Sequence, residues 1–270
     1  MGRIWFVVIG CILMIGCKEN QKKEVVQSSV TASAAAVASI PTANGNTSNI
    51  KLIPIEHATA VIEWGDLTIY IDPVGGASAF SGQRLPDLIL ITDIHGDHFS
   101  DETLLALDTQ KAKIMVPQAV ADKMPTEFTP QIDVLNNGES KERFGINVEA
   151  VPMYNLREEA KDFHTKGRGN GYILNIGDER WYFSGDTEDI PEMRALKNID
   201  KAFICMNLPY TMTVESAANA VLEFKPKQVY PYHYRGRPEV SDVAKFKKLV
   251  NAGDSKIEVV QLDWYPKEDF

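Results

Sequence analysis

Short apolar runs, separated by glycine, asparagine or aspartate, follow one another from residue 51 to the end of the chain. Runs of this length that are rich in Val, Ile and Tyr are typical of strands, and the residues between them are typical of turns. Gly65-Asp66 and Gly177-Asp178 predict the turns of two hairpins. The predicted strands cover residues 52–55, 59–63, 67–71, 87–92, 113–116, 132–135, 142–144, 146–152, 171–176, 180–184, 202–206, 228–232 and 257–262.

Helical periodicity is confined to a few segments between these strands. Ser100 and Thr213 stand where N-caps are expected, each directly before a helical segment. Because many strands form hairpins, a purely parallel sheet is excluded, and we predict one α/β domain built in layers as a mixed-sheet sandwich flanked by helices. The predicted helices cover residues 101–107, 118–123, 213–224 and 240–251.

The chain before residue 50 has a different character. Arg3 precedes an apolar stretch too short to span a bilayer comfortably, and Leu13-Met-Ile-Gly-Cys17 resembles a bacterial lipobox. The following residues are rich in Lys, Glu, Ser, Thr and Ala, which predicts disorder. A plain signal peptide or an uncleaved anchor is the alternative. The predicted parts are a lipoprotein signal peptide (1–16), a disordered tether that begins at the lipidated Cys17 (17–49) and a folded α/β domain (50–270).

This leader predicts a location in the cell envelope, with the chain lipid-anchored to a bacterial membrane and the domain outside the cytoplasm. Of the 270 residues, 44% are hydrophobic and 24% are charged, which is typical of a globular protein. The formal charge of −9 argues against a nucleic-acid partner. With Cys11 in the leader and Cys17 modified, Cys205 is left alone in an apolar run, so we expect a buried thiol and no intrachain disulfide.

The densest chemistry in the chain directly follows the predicted strand 87–92. Asp93, His95, Asp97 and His98 lie within six residues there. Imidazole and carboxylate are the ligands that divalent transition metals take in proteins. Charged groups clustered beside a buried strand also need a strong partner. The segment therefore predicts a metal site.

Three further polar residues occupy comparable places. His164 lies in a glycine-rich loop, whereas Asp186 and His233 each follow a predicted strand. Loops at strand ends commonly carry the functional residues of a layered sheet. Taken singly, His164 and His233 can be solvated histidines, and Asp186 can close a turn with Thr187.

The whole ordered set resembles the ligand motifs of the metallo-β-lactamase superfamily. Within that superfamily, the chain is similar to the metal-dependent hydrolases related to L-ascorbate-6-phosphate lactonase. The resemblance covers residues 57–233 and implies a four-layer αββα sandwich of two mixed β-sheets flanked by helices, with the site at one edge of both sheets. The motifs that carry it are His57-Ala-Thr, Ile71-Asp-Pro-Val74, Asp93-x-His95-x-Asp97-His98, Val151-Pro-Met-Tyr-Asn155, Phe163-His-Thr-Lys-Gly167 and Phe183-Ser-Gly-Asp-Thr187, followed by His233.

The resemblance implies two adjacent metal positions, bridged by Asp186. The expected cofactor is Zn²⁺, as one ion or two, with Mn²⁺ or Fe²⁺ as alternatives. The superfamily usually has histidine at position 93, so Asp93 implies a weaker first site, a preference for manganese or iron, or loss of that metal. Asp93 is either a direct ligand or a partner of a histidine ligand. The implied ligands are Asp93, His95 and His164 for the first position, and Asp97, His98 and His233 for the second.

Water on such an ion has a pKa of about 7, which makes hydroxide available near neutral pH. The expected function is hydrolysis of an ester, lactone or phosphoester small molecule, with Asp97 and His98 as catalytic residues and Asp97 orienting the water. The alternative is a noncatalytic envelope lipoprotein that keeps the fold as a binding module with a degenerate metal site.

Several residues are assigned to the surroundings of the predicted metals. His57 is expected near the metals or as a packing residue, and Asp72 as a turn carboxylate or a partner of a ligand. Arg235 and Arg237 can bind an anionic substrate group, or lie in a solvated loop. The expected partners are a small-molecule substrate and, through the N-terminal lipid, a membrane; the sequence leaves the oligomeric state open.

Overall fold

The computed structural model describes Gly2 and residues 50–268. The strands are β1 (Ile50–Glu56), β2 (Thr59–Trp64), β3 (Leu67–Ile71), β4 (Leu88–Leu90), β5 (Lys113–Val116), β6 (Ile132–Val134), β7 (Ser140–Arg143), β8 (Ile146–Met153), β9 (Gly169–Ile176), β10 (Glu179–Phe183), β11 (Lys201–Ile204), β12 (Gln228–Pro231) and β13 (Glu258–Val259). The α-helices are α1 (Asp101–Ala106), α2 (Gln118–Ala121), α3 (Pro191–Arg194), α4 (Val214–Phe224) and α5 (Val243–Gly253). Two short 3₁₀ helices cover Ala77–Phe80 and Thr126–Phe128.

The strands form two mixed sheets. One has six strands in the order β1-β2-β3-β4-β5-β6, and the other has seven in the order β13-β12-β11-β10-β9-β8-β7. In the first sheet, β1 to β3 pair antiparallel and β3 to β6 pair parallel. In the second, β7 to β10 pair antiparallel and β10 to β13 pair parallel. The two halves therefore repeat one plan, in which hairpins lead into a parallel run.

The alternation of side chains along the strands separates the layers. Ile62 of β2 packs in the same buried core as Phe183 of the second sheet, so these faces of the two sheets meet. Its neighbour Val61 points the other way and packs with Leu104 of α1. On the far side of the second sheet, Phe246 of α5 is buried in the larger core. Two sheets face each other with helices outside, as the resemblance implied.

The sequence predictions of individual elements are largely confirmed, with differences at their ends. Ser100 and Thr213 cap α1 and α4, accepting hydrogen bonds from Thr103 N and Ser216 N at 3.1 and 3.0 Å. The last strand was predicted too long, because β13 pairs with β12 over two residues. The last helix begins three residues later than predicted, at the cap provided by Asp242. Helix α3 and the two 3₁₀ helices were not predicted, since one turn gives no period to detect.

The predicted signal peptide, the tether and the lipidated Cys17 lie outside the described residues, apart from Gly2, and stay predictions. In the part of the chain that is described, no helix is both long and apolar enough to cross a membrane. Cys205 is free and fully buried, as expected of the residue that follows β11.

Candidate metal centre

Strands of both sheets deliver the predicted site residues to one edge of the sandwich. Asp72 follows β3, the 93–98 segment follows β4, Asp186 follows β10 and His233 follows β12. These four strands belong to the parallel parts of their sheets. Since parallel strands end at the same edge, residues distant in sequence meet there. His164 joins them from the loop between β8 and β9.

Asp97, His98, Asp186 and His233 form one cluster, whose potential ligand atoms all lie within 4.8 Å of one another. The Nε2 atoms of His98 and His233 are 3.1 Å apart. Asp186 Oδ2 lies 3.4 Å from His98 Nε2, and Asp186 Oδ1 lies 3.3 Å from His233 Nε2. We call this group the second cluster.

His98 is oriented from behind by the carboxylate of Asp72. His98 Nδ1 lies 2.7 Å from Asp72 Oδ2, and both side chains are fully buried. A carboxylate only accepts, so Nδ1 carries a proton and Nε2 is the nitrogen that faces the cluster. Thr92 holds Asp72 in turn, because its N–H donates to Oδ1 and its hydroxyl to Oδ2, each at 2.7 Å. Burial raises the pKa of Asp72, and the hydrogen bonds from His98 and Thr92 oppose that rise.

Asp93, His95 and His164 form the first cluster, with ligand atoms again within 4.8 Å of one another. Asp93 Oδ2 is 2.9 Å from His95 Nδ1. His164 Nε2 is 3.3 Å from Asp186 Oδ2, so Asp186 lies between the two clusters. Asp186 therefore lies next to ligands predicted for both metal positions, and its bridging of two ions stays a prediction.

Asp93 is also paired with an arginine that the sequence reasoning did not single out. Arg168 Nε donates to Asp93 Oδ1 at 3.0 Å, and its Nη2 donates to Asp93 Oδ2 at 2.8 Å. Burial alone raises the pKa of Asp93, but the hydrogen bonds from His95 and Arg168 bring it down to about 2. Asp93 is thus an ionised carboxylate with no exposed surface.

The donor sets fit divalent metal ions. Neither nitrogen of the buried His164 has a hydrogen-bond partner among the described residues, and the same holds for Asp186 Oδ1. Two imidazole nitrogens 3.1 Å apart share at most one proton, whereas a metal ion takes a lone pair from each. Burial raises the pKa of Asp186, but His233 and His98 bring it well below its usual value, so it is an anion. Imidazoles and carboxylates at this spacing are suitable ligands for Zn²⁺.

His57 contacts the second cluster without belonging to it. Its Nε2 lies 3.4 Å from Asp97 Oδ2, its Nδ1 lies 2.6 Å from Tyr265 Oη, and its ring centroid is 3.7 Å from that of His233. Burial, followed by repulsion from His233, lowers the pKa of His57 to about 4, so the ring is neutral. A neutral ring donates to Asp97 through Nε2 and accepts from Tyr265, which steadies the carboxylate of Asp97.

Three residues at the site have left-handed backbone conformations that side chains rarely adopt. The φ angles of His57, Asp72 and His233 are 57°, 44° and 48°. Strained conformations of this kind persist only where surrounding contacts enforce them, and they concentrate at functional sites. Here the hydrogen bonds of His57 and Asp72 described above provide that enforcement.

A cavity of about 620 Å³ opens onto both clusters. Arg235 lines it, and its guanidinium pairs with Glu268 and lies over the ring of Tyr265, so a role for Arg235 in substrate binding stays a prediction. Arg237 also lines the cavity, and its side chain has no polar partner among the described residues. The residues lining the cavity are His57, His95, Asp97, Phe163, His164, Asp186, Asn207, Tyr210, Arg235, Gly236 and Arg237.

All seven predicted ligands come together, and they divide between two clusters as the resemblance implied. Arg168 was missed, although Gly167-Arg-Gly169 was a visible signal, since flanking glycines allow a close backbone approach. Tyr265 was also missed, and nothing local in the sequence marks it. The carboxylate of Asp186 faces His98, His164 and His233, whereas it is Thr187 that hydrogen-bonds the backbone, at Tyr154.

Comparison with known proteins agrees with this geometry. A family model described as a β-lactamase superfamily domain matches residues 51–233. The chain is 34% identical, over 223 residues, to a UPF0173 metal-dependent hydrolase of Thermococcus onnurineus, a match that covers 79% of this chain and 96% of that protein.

Solved structures are similar over the same region. A candidate metal-dependent hydrolase from Parabacteroides distasonis superimposes with a TM-score of 0.71 and 34% identity, covering 80% of this chain and 94% of that one. Igni18, a metallo hydrolase of the archaeon Ignicoccus hospitalis, has a TM-score of 0.65 and 23% identity, covering 79% and 94%, which shows the shared fold. With both clusters in place, this chain belongs to the metallo-β-lactamase superfamily and is a metal-dependent hydrolase of that family.

Proposed function

We propose that the protein hydrolyses a small-molecule lactone, ester or phosphoester with the help of Zn²⁺ bound at the second cluster and, adjacent to it, at the first. The observation that carries this proposal is the position of both ligand clusters at the surface of one cavity large enough for a small molecule. When bound, such a metal acidifies water and polarises a carbonyl or phosphoryl oxygen.

The chain's own residues are arranged to hold and direct a water molecule. Asp97 is the most exposed member of the second cluster, with 44% of its side chain accessible, whereas His98 and His233 have none. Although burial raises the pKa of Asp97, His98 and hydrogen bonds from His233 and His57 lower it far more, so its carboxylate stays ionised and can accept a hydrogen bond from a water molecule on the cavity side. Asp97 is therefore the residue we assign to orient water, and His98 is the fixed ligand beside it.

The walls of the cavity favour a substrate that combines an apolar part with an anionic group. The rings of Phe163 and Tyr210 meet edge to face, with centroids 5.1 Å apart, and form an apolar wall. Arg237, without a polar partner among the described residues, supplies a cation on the same cavity. A guanidinium binds carboxylate or phosphate in two-pronged fashion. Together with the resemblance to L-ascorbate-6-phosphate lactonase, this supports phosphorylated or carboxylated lactones as the substrate class.

Metal analysis followed by a substrate panel tests this function. The purified chain is expected to contain stoichiometric zinc, manganese or iron, and to cleave at least one class among lactones, carboxylic esters and bis-p-nitrophenyl phosphate. His98→Ala should abolish both metal retention and turnover, whereas Lys141→Ala, which removes a surface lysine paired with Asp133, should change neither. A folded wild-type chain that binds no metal would overturn the enzyme assignment and support the noncatalytic binding module.

We propose further that the domain works in the cell envelope, anchored to a bacterial membrane through lipid on Cys17. The lipobox-like Leu13-Met-Ile-Gly-Cys17 and the polar segment that follows it support this. In cells, the wild-type chain should fractionate with membranes and incorporate labelled fatty acid, and Cys17→Ser should do neither. Equal labelling of both would refute the anchor without touching the enzymatic proposal.

A further inference from the structure

We propose that Arg168 is a positioning residue that assembles the first metal position, and that the ion pair of Asp93 with Arg168 acts there as one neutral ligand. This inference rests on the proposed function, since it requires that the clusters bind metal. Within the described part of the chain, Arg168 makes no contact with the second cluster, so the role concerns the first metal position alone.

The guanidinium of Arg168 connects the two segments that carry the three ligands of the first cluster. It holds both oxygens of Asp93 in a two-pronged contact, at 3.0 and 2.8 Å. Its Nη2 lies 3.4 Å from Nε2 of His95, the nitrogen that faces away from Asp93. The same Nη2 donates to the carbonyl of Phe163, the residue before His164. One side chain thus fixes the spacing of three ligands that come from two loops.

Charge explains why the carboxylate needs this partner. Asp93 has no exposed surface, and an unpaired buried carboxylate would be strongly unfavourable. The guanidinium compensates that charge, so the pair is neutral overall, as an imidazole ligand is. A carboxylate has about four lone-pair sites. Arg168 occupies one site on each oxygen of Asp93, and His95 Nδ1 lies 2.9 Å from Oδ2, so the remaining lone pair of Oδ1 would be the one available to a metal ion.

The backbone brings Arg168 to this place through an unusually close approach. Asn170 N donates to Thr92 O at 2.9 Å, which joins the start of β9 to the residue before Asp93. A Cβ added to Gly169 would lie 2.8 Å from Thr92 O and 3.2 Å from Asp93 Oδ1. Position 169 therefore has to be glycine for the chain to run this close, and residue 168 is delivered beside the carboxylate. Only 17% of the Arg168 side chain is accessible, so it is a built part of the site.

Counting metal ions per chain tests the proposal directly. Wild-type protein is loaded with Zn²⁺, desalted and analysed by plasma mass spectrometry, and Co²⁺-loaded protein is titrated by its visible absorption. We expect two ions in the wild type. We expect Arg168→Gln to keep the ion of the second cluster and to bind the other about 10- to 100-fold more weakly, as for other groups that orient a metal ligand.

Companion variants separate positioning from folding. Arg168→Lys keeps the charge but loses the two-pronged contact, so it should also weaken the first ion. The double variant Asp93→His with Arg168→Gln replaces the ion pair by a neutral imidazole and should recover two ions. Arg180→Gln, which removes an arginine paired with Glu149 on β8, is the matched control and should keep two.

Each alternative result contradicts a definite statement. Two ions held with wild-type affinity in Arg168→Gln would show that the arginine does not position the site. One ion in the wild type and two in Arg168→Gln would mean that the guanidinium excludes the first metal, the opposite of the proposal. A wild type with no metal would overturn the proposed function, and this inference with it. If Arg168→Gln does not fold, failure of the double variant to bind two ions still refutes the proposal.

Discussion

Replacing Asp72 by asparagine should weaken metal binding without removing any ligand. Asp72 Oδ1 accepts the N–H of Thr92, and Oδ2 accepts the Thr92 hydroxyl and the Nδ1–H of His98. Each oxygen accepts from a donor whose direction is fixed, the Thr92 N–H on Oδ1 and the His98 Nδ1–H on Oδ2. An amide has a single oxygen, so it can accept only one of these two hydrogen bonds. If its oxygen stays on Thr92 N, its NH₂ faces His98 Nδ1, and the imidazole must move its proton to Nε2, where it blocks the metal.

The size of the effect follows from the contacts that are lost. If His98 instead keeps its proton on Nδ1, as metal binding through Nε2 requires, that N–H faces the NH₂ of the introduced asparagine at the 2.7 Å spacing of the original contact. The hydrogen bond from His98 to the charged carboxylate is then lost. Such a bond contributes about 1.5–3 kcal/mol. Since about 1.4 kcal/mol corresponds to a factor of ten, metal affinity should fall roughly 10- to 100-fold.

Competition titration with a chromophoric chelator measures this change directly. Asp87→Asn is the control, because Asp87 also accepts a backbone hydrogen bond, from Thr68 N at 2.9 Å, but does so away from the site. We expect the control to retain wild-type affinity. Unchanged affinity in Asp72→Asn, at full folding, would refute the argument that the carboxylate fixes the tautomer of His98.

Three further predictions concern pH, packing and substrate. Burial lowers the pKa of His98, but Asp186, Asp72 and Asp97 raise it far above its usual value. The proton on His98 therefore stabilises the metal-free fold fully below a pH of about 6.5, and this stabilisation is lost as the pH rises through the folded pKa. In calorimetry, EDTA should lower Tm more at pH 9 than at pH 6, and an equal drop would contradict this. A Cβ on Gly171 would lie 2.8 Å from Ser184 O, so Gly171→Ala should lower the free energy of unfolding in urea by about 1–3 kcal/mol. Gly96→Ala, with open space around the added Cβ, should lower it little. Equal unfolding midpoints for the two variants would refute the close contact at Gly171. Arg237→Gln should raise KM for an anionic substrate several-fold and leave KM for a neutral ester unchanged; a parallel change in both would remove Arg237 from substrate binding.

The fold could be predicted from the sequence because its signals are local. Alternating runs such as β2 and β3 show one face for the inner core and one for the outer, and caps such as Ser100 mark where a helix begins. The ends of β13 and α5 could not be predicted, because strand length there depends on pairing with β12 and helix start depends on Asp242. Turns of a single helical period, such as α3, carry too few residues to show a pattern.

The metal site at residues 93–98 was predictable because imidazoles and carboxylates clustered after a buried strand have few other uses, whereas His164, Asp186 and His233 were added by the resemblance to the superfamily. Among the residues that support the ligands, Asp72 was predicted as a possible partner of one, but Arg168 and Tyr265 were not. Arg168 acts on Asp93, which lies 75 residues earlier, and Tyr265 acts on His57, which lies 208 residues earlier. No period or motif connects such partners, and an arginine or a tyrosine is common on any surface. The deviation at position 93 was visible in the sequence, but the compensating arginine became apparent when the two loops were placed together.

The turn that follows β10 explains why the loop of His164 is ordered at all. Asp186 of this turn faces the metal clusters, and Glu188, two residues later, accepts hydrogen bonds from the N–H groups of Leu156 and Arg157 at 2.9 Å. Glu188 is 2% exposed, so these bonds are buried and resist exchange with water. The loop that delivers His164 is therefore fastened to the turn that delivers Asp186. Because both ligands depend on one turn, we expect a movement of that turn to shift the two together and to keep His164 Nε2 close to Asp186 Oδ2, which lie 3.3 Å apart.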